Sequence, residues 1–138
     1  EQEVAIDRLD QYLTPNAGLV VIDTVTSLYR AEFEKSKEKM FKMNRDLGRQ
    51  LAILAQTVKT RKIAALVTSQ VRNVFMEGFV VTEPVGTRVL KFWSDRVLSL
   101  KPADHRNTIK AVLEKRAQRS GPVNCYFSIE ENGICDCR

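Results

Sequence analysis

Two residues of this chain pair a useful side chain with a place where it can act. Asp23 follows Leu19-Val20-Val21-Ile22, and Gln70 follows Ile63-Ala64-Ala65-Leu66-Val67-Thr68-Ser69. Unbroken apolar runs of this kind read as strands of a parallel sheet buried on both faces. In such sheets the ligand crevice lies outside the carboxyl ends of the strands. A carboxylate at that place can hold a hydrated magnesium ion opposite a glycine-rich phosphate loop. It can equally cap the helix that follows, and the local pattern leaves both readings open. On neighbouring strand ends, Asp23 and Gln70 would face one crevice.

The elements that must position them follow from periodicity. Residues 34–62 read as a long helix, with Met40, Met43, Leu47, Leu51, Leu54 and Val58 at steps of three and four and a basic opposite side. Strand, helix and parallel strand make one right-handed crossover unit. Upstream, Val4, Ile6, Leu9 and Leu13 fit one helix face. Residues 71–83 read as a loop, mixing Val74, Phe75, Met76, Phe79 and Val80 with Arg72, Glu77 and Gly78, and loops of that length tend to be functional or mobile. Pro84-Val85-Gly86-Thr87 is expected to open a short helix through Phe92 and Trp93. Beyond it, Arg96-Val97-Leu98-Ser99-Leu100, Thr108-Ile109-Lys110-Ala111-Val112-Leu113-Glu114 and Val123-Asn124-Cys125-Tyr126-Phe127-Ser128-Ile129 alternate as half-exposed strands do. The short connections at residues 102–107 and at Ser120-Gly121-Pro122 make this an antiparallel extension.

At 138 residues the chain is long enough for one domain with a real core. A net charge of +5 is compatible with a polyanionic partner, and equally with solvated basic faces. No apolar run approaches a membrane span and the N-terminus lacks signal-peptide character, so a soluble, intracellular, cytoplasmic protein is expected. Cys125, Cys135 and Cys137 form an odd set without C-x-x-C spacing, which indicates neither a disulfide framework nor a zinc site. His105, the single histidine, sits in a turn-like stretch, which removes histidine-based triads.

Taken in order, Leu19-Val20-Val21-Ile22-Asp23-Thr24, then Leu28-Tyr29-Arg30-Ala31-Glu32, Ser69-Gln70-Val71, and Ala111-Val112-Leu113-Glu114-Lys115-Arg116 before Tyr126-Phe127-Ser128-Ile129, resemble the RecA-like recombinase ATPase core. The resemblance runs from the first helix to Asp136. It implies an α/β fold of the P-loop ATPase kind, with parallel strands and crossover helices followed by an antiparallel C-terminal extension, and one partial domain over residues 1–138. By the same resemblance Asp23 is the Walker B aspartate, holding magnesium through water, and Thr24 is the small hydroxyl residue that follows it. Gln70 becomes the γ-phosphate sensor at the root of the first DNA-binding loop, a task that suits an amide because it donates without titrating. Ser69 stands where an asparagine is often found.

Residues 72–91 then cover the two DNA-binding loops. Arg72, Arg88 and Lys91 are candidates for phosphate contacts, and Phe75 and Phe79 for stacking on bases. Because Glu77 and Glu83 dilute the charge, a protein-docking loop is the alternative. Lys115 and Arg116 match basic residues that reach the neighbouring subunit's nucleotide, with a solvated basic turn as the alternative.

One motif of the family is not present. Gly18 is the sole glycine upstream of Asp23, no Gly-Lys pair occurs, and the G-x-x-x-x-G-K-[ST] phosphate loop is therefore missing from these residues, as is the glutamate that activates water. With Glu1 in place of a methionine, the expectation is a piece of a longer protein. The Walker A strand of the family would lie between the strand ending at Gln70 and the one starting near Arg96. Its place should be closed by direct pairing, filled by another molecule, or left distorted. The resemblance implies a recombinase paralogue in homologous recombination and DNA repair, using ATP and magnesium, whose whole form is a weak DNA-linked ATPase. These residues alone should neither hold ATP tightly nor hydrolyse it. Expected partners are DNA, a main recombinase or DNA polymerase, and further copies of the chain through the open gap; no membrane is expected. Alternatives are a docking module without catalysis and a RecA-like regulatory ATPase outside recombination, as in circadian or gas-vesicle relatives.

Overall fold

Met43, Leu47, Leu51 and Leu54 recur at helical spacing and are all buried, and the core of the N-terminal part is built on them. The computed structural model describes residues 2–27, 37–76, 78–116 and 123–137. The stretch Leu28-Tyr29-Arg30-Ala31-Glu32, the expected helix start at Glu34, and the connection through Ser120-Gly121-Pro122 lie outside the described residues. The chain divides into two compact units, Glu1–Trp93 and Ser94–Arg138.

In the first unit, α1 (Gln2–Asp7) and α2 (Leu9–Tyr12) precede β1 (Leu19–Ile22), α3 (Lys37–Arg61) and β2 (Ala64–Val67). The single N-terminal helix expected from residues 4–13 is two short pieces meeting at Arg8, whose φ of −107° and ψ of 19° interrupt the spiral. Ile6 is buried and Leu9 and Leu13 pack on the core, whereas Val4 stays half exposed. Arg49 of α3 ties α1 down by donating to Glu3 and Asp7, and Arg61 donates to Asp10. The hydrogen bond from Arg49 to Asp7, with the attraction of both carboxylates, raises the guanidinium above its ordinary range.

β1 and β2 pair in parallel, Leu19 opposite Ala64 through Ile22 opposite Val67, with α3 as the crossover. Val20 lies in the core, and Ile22, Ile63 and Val67 pack against it. Helix α3 stops at Lys62, which takes φ 56° while Ile63 N–H bonds to Val58 O, the left-handed cap that ends many helices. The next bond, Ala64 N–H to Gly18 O, opens the parallel ladder, so the cap sets the register of β2.

Residues 71–83 are a correction to the sequence reading. They do not form a loop: β3 (Val71–Met76) and β4 (Phe79–Pro84) pair antiparallel, from Val71 opposite Pro84 to Met76 opposite Phe79. The β-branched and aromatic residues on both sides of residues 77 and 78 favour strands, and Gly78 at φ 93° permits the tight reversal. Val85, almost fully buried, then leads into α4 (Thr87–Trp93), which packs on α3 through Gly48 and Val89.

The second unit is an antiparallel meander, in the order β5 (Val97–Pro102), β6 (Thr108–Lys115), β7 (Val123–Glu130) and β8 (Gly133–Asp136). This is the expected C-terminal extension, with one strand more than the sequence reading named. Asn107 at φ 61° and Gly133 at φ 120° make the turns before β6 and β8. His105 is exposed in the first of these turns. Among the described residues β2 pairs with β1 alone and β5 with β6 alone, so the direct pairing expected as one way of closing a gap between them is not among the described ladders.

Candidate functional site

The parallel ladder does not stop at the last strand residues. Thr68 N–H bonds to Ile22 O at 3.0 Å, and Val25 N–H bonds to Thr68 O at 3.1 Å. The turn after β1 and the segment after β2 are thus stitched together at the carboxyl ends of both strands. Asp23 and Gln70 are carried on those two segments. Strand β2 is shorter than the apolar run suggested, so Gln70 lies three residues beyond it, in the link to the β3–β4 hairpin.

Asp23 is exposed, and one of its carboxylate oxygens accepts a hydrogen bond from Thr68 Oγ1. The other oxygen has no partner among the described residues. Thr24 is joined to Asp23 by a cis peptide bond, and its Oγ1 is buried without a hydrogen-bond partner among the described residues. A buried hydroxyl in that condition is uncommon, because an unmade bond costs about 1–3 kcal/mol. Thr24 Oγ1 is therefore an unused donor and acceptor on the residue that follows Asp23. Among the described residues no group of three or more His, Cys, Asp or Glu side chains could hold a metal unaided. A cation at Asp23 would have one protein carboxylate, with water and a ligand's own oxygens completing its shell, which suits magnesium and not a dedicated calcium or zinc site.

Behind Asp23 lies a polar junction built by Thr26, Ser69, Gln70 and Val85. Thr26 is fully buried. Its Oγ1 accepts from Gln70 N–H at 3.1 Å and lies 3.1 Å from Ser69 Oγ. Ser69 Oγ donates to Val85 O at 3.1 Å, and to Gln70 O at 3.2 Å. Val85 N–H returns to Gln70 O at 3.0 Å. Gln70 is half-buried, its backbone is held on both sides, and its carboxamide has no partner among the described residues.

The sequence candidates are therefore only partly gathered. Asp23, Thr24 and Gln70 share the strand-end region of the first unit. Arg72 and Phe75 belong to β3 and Phe79 to β4, which places all three on the hairpin that starts directly after Gln70. Arg88 and Lys91 are exposed on α4, beside Phe92 and Trp93, whose rings meet edge to face at 5.2 Å. Lys115 and Arg116 belong to the second unit. Lys115 ends β6 and donates to Ser94 O at 2.6 Å, so its ammonium is engaged within that unit. The residues missed by sequence reasoning are Thr26 and Thr68. The signal available was the hydroxyl residues that directly follow both apolar runs: Thr24 and Thr26 after one, Thr68 and Ser69 after the other.

The family model described as Rad51 matches residues 5–137. The DNA repair and recombination protein RadB of Methanocaldococcus jannaschii is 35% identical over 134 residues, covering 97% of this chain and 60% of that protein. RadB of Thermococcus gammatolerans is 32% identical over 136 residues, covering 99% of this chain and 58% of its own length. Among solved structures, the crystal structure of the RadB recombinase aligns with a TM-score of 0.72 at 29% identity, over 100% of this chain and 60% of that one. The chain thus spans about 60% of the length of the relatives it matches. Parallel strands joined by a crossover helix, an antiparallel C-terminal sheet and a family match over nearly every residue lead to one assignment: the chain belongs to the Rad51 family and has a RecA-like fold.

Proposed function

We propose that these residues are part of one ATPase domain of a recombinase paralogue that binds ATP and DNA in homologous recombination and repair. The observation that supports this most is the carriage of Asp23 and Gln70 on two segments hydrogen-bonded to each other at the ends of parallel strands. In that reading Asp23 holds magnesium through water and Thr24 supplies the neighbouring hydroxyl. Gln70 offers an amide to the terminal phosphate without changing charge with pH. Bound magnesium would neutralise charge on the phosphates. Lys115 and Arg116 are assigned to the nucleotide of a neighbouring subunit. With no phosphate-loop motif among these 138 residues, tight nucleotide binding and hydrolysis need that loop from elsewhere.

DNA is assigned to the β3–β4 hairpin and α4, with Arg72, Arg88 and Lys91 on phosphates and Phe75 and Phe79 on bases. Fluorescence-anisotropy titrations at several salt concentrations test this. Binding should weaken steeply with salt, and each of Arg72→Ala, Arg88→Ala and Lys91→Ala should lower the log–log slope by about one. Binding that ignores salt and all three substitutions would sink the assignment. A second reading, docking of a recombinase or DNA polymerase, draws on one observation: Phe92 on α4 is 74% exposed. Salt-insensitive association lost in Phe92→Ala would favour it.

A further inference from the structure

The hydrogens of the junction behind Asp23 can be assigned by counting donors. Ser69 has one hydroxyl hydrogen, and it is directed to the carbonyls of Val85 and Gln70. Ser69 Oγ must then accept from Thr26, because the 3.1 Å contact between them needs one donor. Thr26 Oγ1 itself accepts the Gln70 N–H. The result is a directed chain, Gln70 N–H to Thr26 O–H to Ser69 O–H to Val85 O, closed by the Val85 N–H bond to Gln70 O. Every hydroxyl in this ring both donates and accepts, which strengthens each bond by polarisation.

The placement of the ring matters more than its strength. Val71 and Pro84 are the paired ends of the hairpin, and the ring joins Gln70 and Val85, the residues immediately outside that pair. Thr26 enters the ring from the turn after β1, three residues beyond Asp23. It is the member that connects the hairpin root to the segment carrying the carboxylate. A valine would fill the same volume, so packing alone does not call for threonine.

We propose that Thr26 is a positioning residue, a buried hydroxyl pin that fixes the Gln70 backbone and the root of the β3–β4 hairpin to the Asp23 turn. Its role in nucleotide-dependent DNA binding rests on the function proposed above. The pin itself does not.

Hydrogen–deuterium exchange of the full chain tests the pin with Thr26→Val, which removes the hydroxyl at constant shape, and Thr26→Ser, which keeps it. In Thr26→Val the Gln70 amide and the hairpin should exchange about tenfold faster, while α3 around Leu47, Leu51 and Leu54 keeps its protection. Thr26→Ser should return the hairpin to within about twofold of the parent chain. Unchanged exchange in Thr26→Val, or acceleration spread equally over α3, would overturn the proposal. A second measurement, made on a form of the protein that includes the phosphate loop, is the ratio of DNA affinities with and without ATP and magnesium. That ratio should fall towards one in Thr26→Val and recover in Thr26→Ser, and its persistence in Thr26→Val overturns the functional half of the proposal. If the loop-containing protein with Thr26 unchanged showed no such ratio while hairpin protection still depended on Thr26, the ATP and DNA reading would fail and the pin would stand.

Discussion

Asp23 shows what a single position discloses and what it withholds. A carboxylate directly after an apolar strand is visible in the sequence because the run ends abruptly on a charge, but the expected burial on both faces is not met: Leu19 and Val21 are 54% and 55% exposed. The carboxylate's supporting contact is not visible, since Thr68 lies 45 positions away and hydroxyl residues near strand ends are ordinary. The bond from Thr68 Oγ1 orients one carboxylate oxygen and leaves the other without a partner among the described residues. Hydrogen bonds to ionised groups contribute about 1.5–3 kcal/mol when shielded. Because Asp23 is exposed, water competes, and the expected loss in Thr68→Val is about 1 kcal/mol. Urea denaturation should register this as a lower midpoint with unchanged slope, and Thr68→Ser should recover most of it. A Thr68→Val protein as stable as its parent would show that the contact contributes nothing.

Among the elements, α3 was the most legible and the hairpin the least. A 25-residue helix repeats its apolar spacing often enough that Met43, Leu47, Leu51 and Leu54 stand out as its inner face from spacing alone. In sequence the β3–β4 segment reads as a loop because charges and glycine interrupt its apolar residues. Pairing makes it regular: each strand supplies the hydrogen-bond partners of the other, and neither strand alone carries a decisive pattern. The junction of the hairpin with α4 is also tightly constrained. Gly86 has φ 71°, and a Cβ there would meet Leu47 Cδ2 at 2.7 Å. Leu47 is nearly fully buried and cannot swing into solvent. Gly86→Ala should therefore destabilise the chain by about 1–3 kcal/mol through backbone strain and overpacking together, read as a shift in the urea midpoint. Gly18→Ala, with nothing within 4 Å of its Cβ, is the matched control and should shift the midpoint far less.

At the scale of the whole molecule, the described sheets, of two, two and four strands, carry many exposed apolar side chains. Leu66 on β2 is 53% exposed, and Leu98 and Leu100 on β5 are 60% and 57% exposed. Open strand edges combined with apolar side chains promote association. The chain on its own should associate with rising concentration in sedimentation velocity, and Leu100→Lys, which places a charge on an already exposed site, should reduce that association. A monomer at every concentration tested would contradict this expectation. No helix among the described residues is long and apolar enough to cross a membrane. Periodicity and abrupt apolar boundaries, which are local properties, disclosed the crossover helix, the apolar strands and Asp23 directly after one of them, while the RecA-like fold class followed from the resemblance of ordered motifs. The hairpin, the Thr68 contact and the Thr26 ring were decided only by the tertiary structure. Each depends on hydrogen-bond partners separated by many residues, and such partners acquire meaning only when folding brings the two strand ends together.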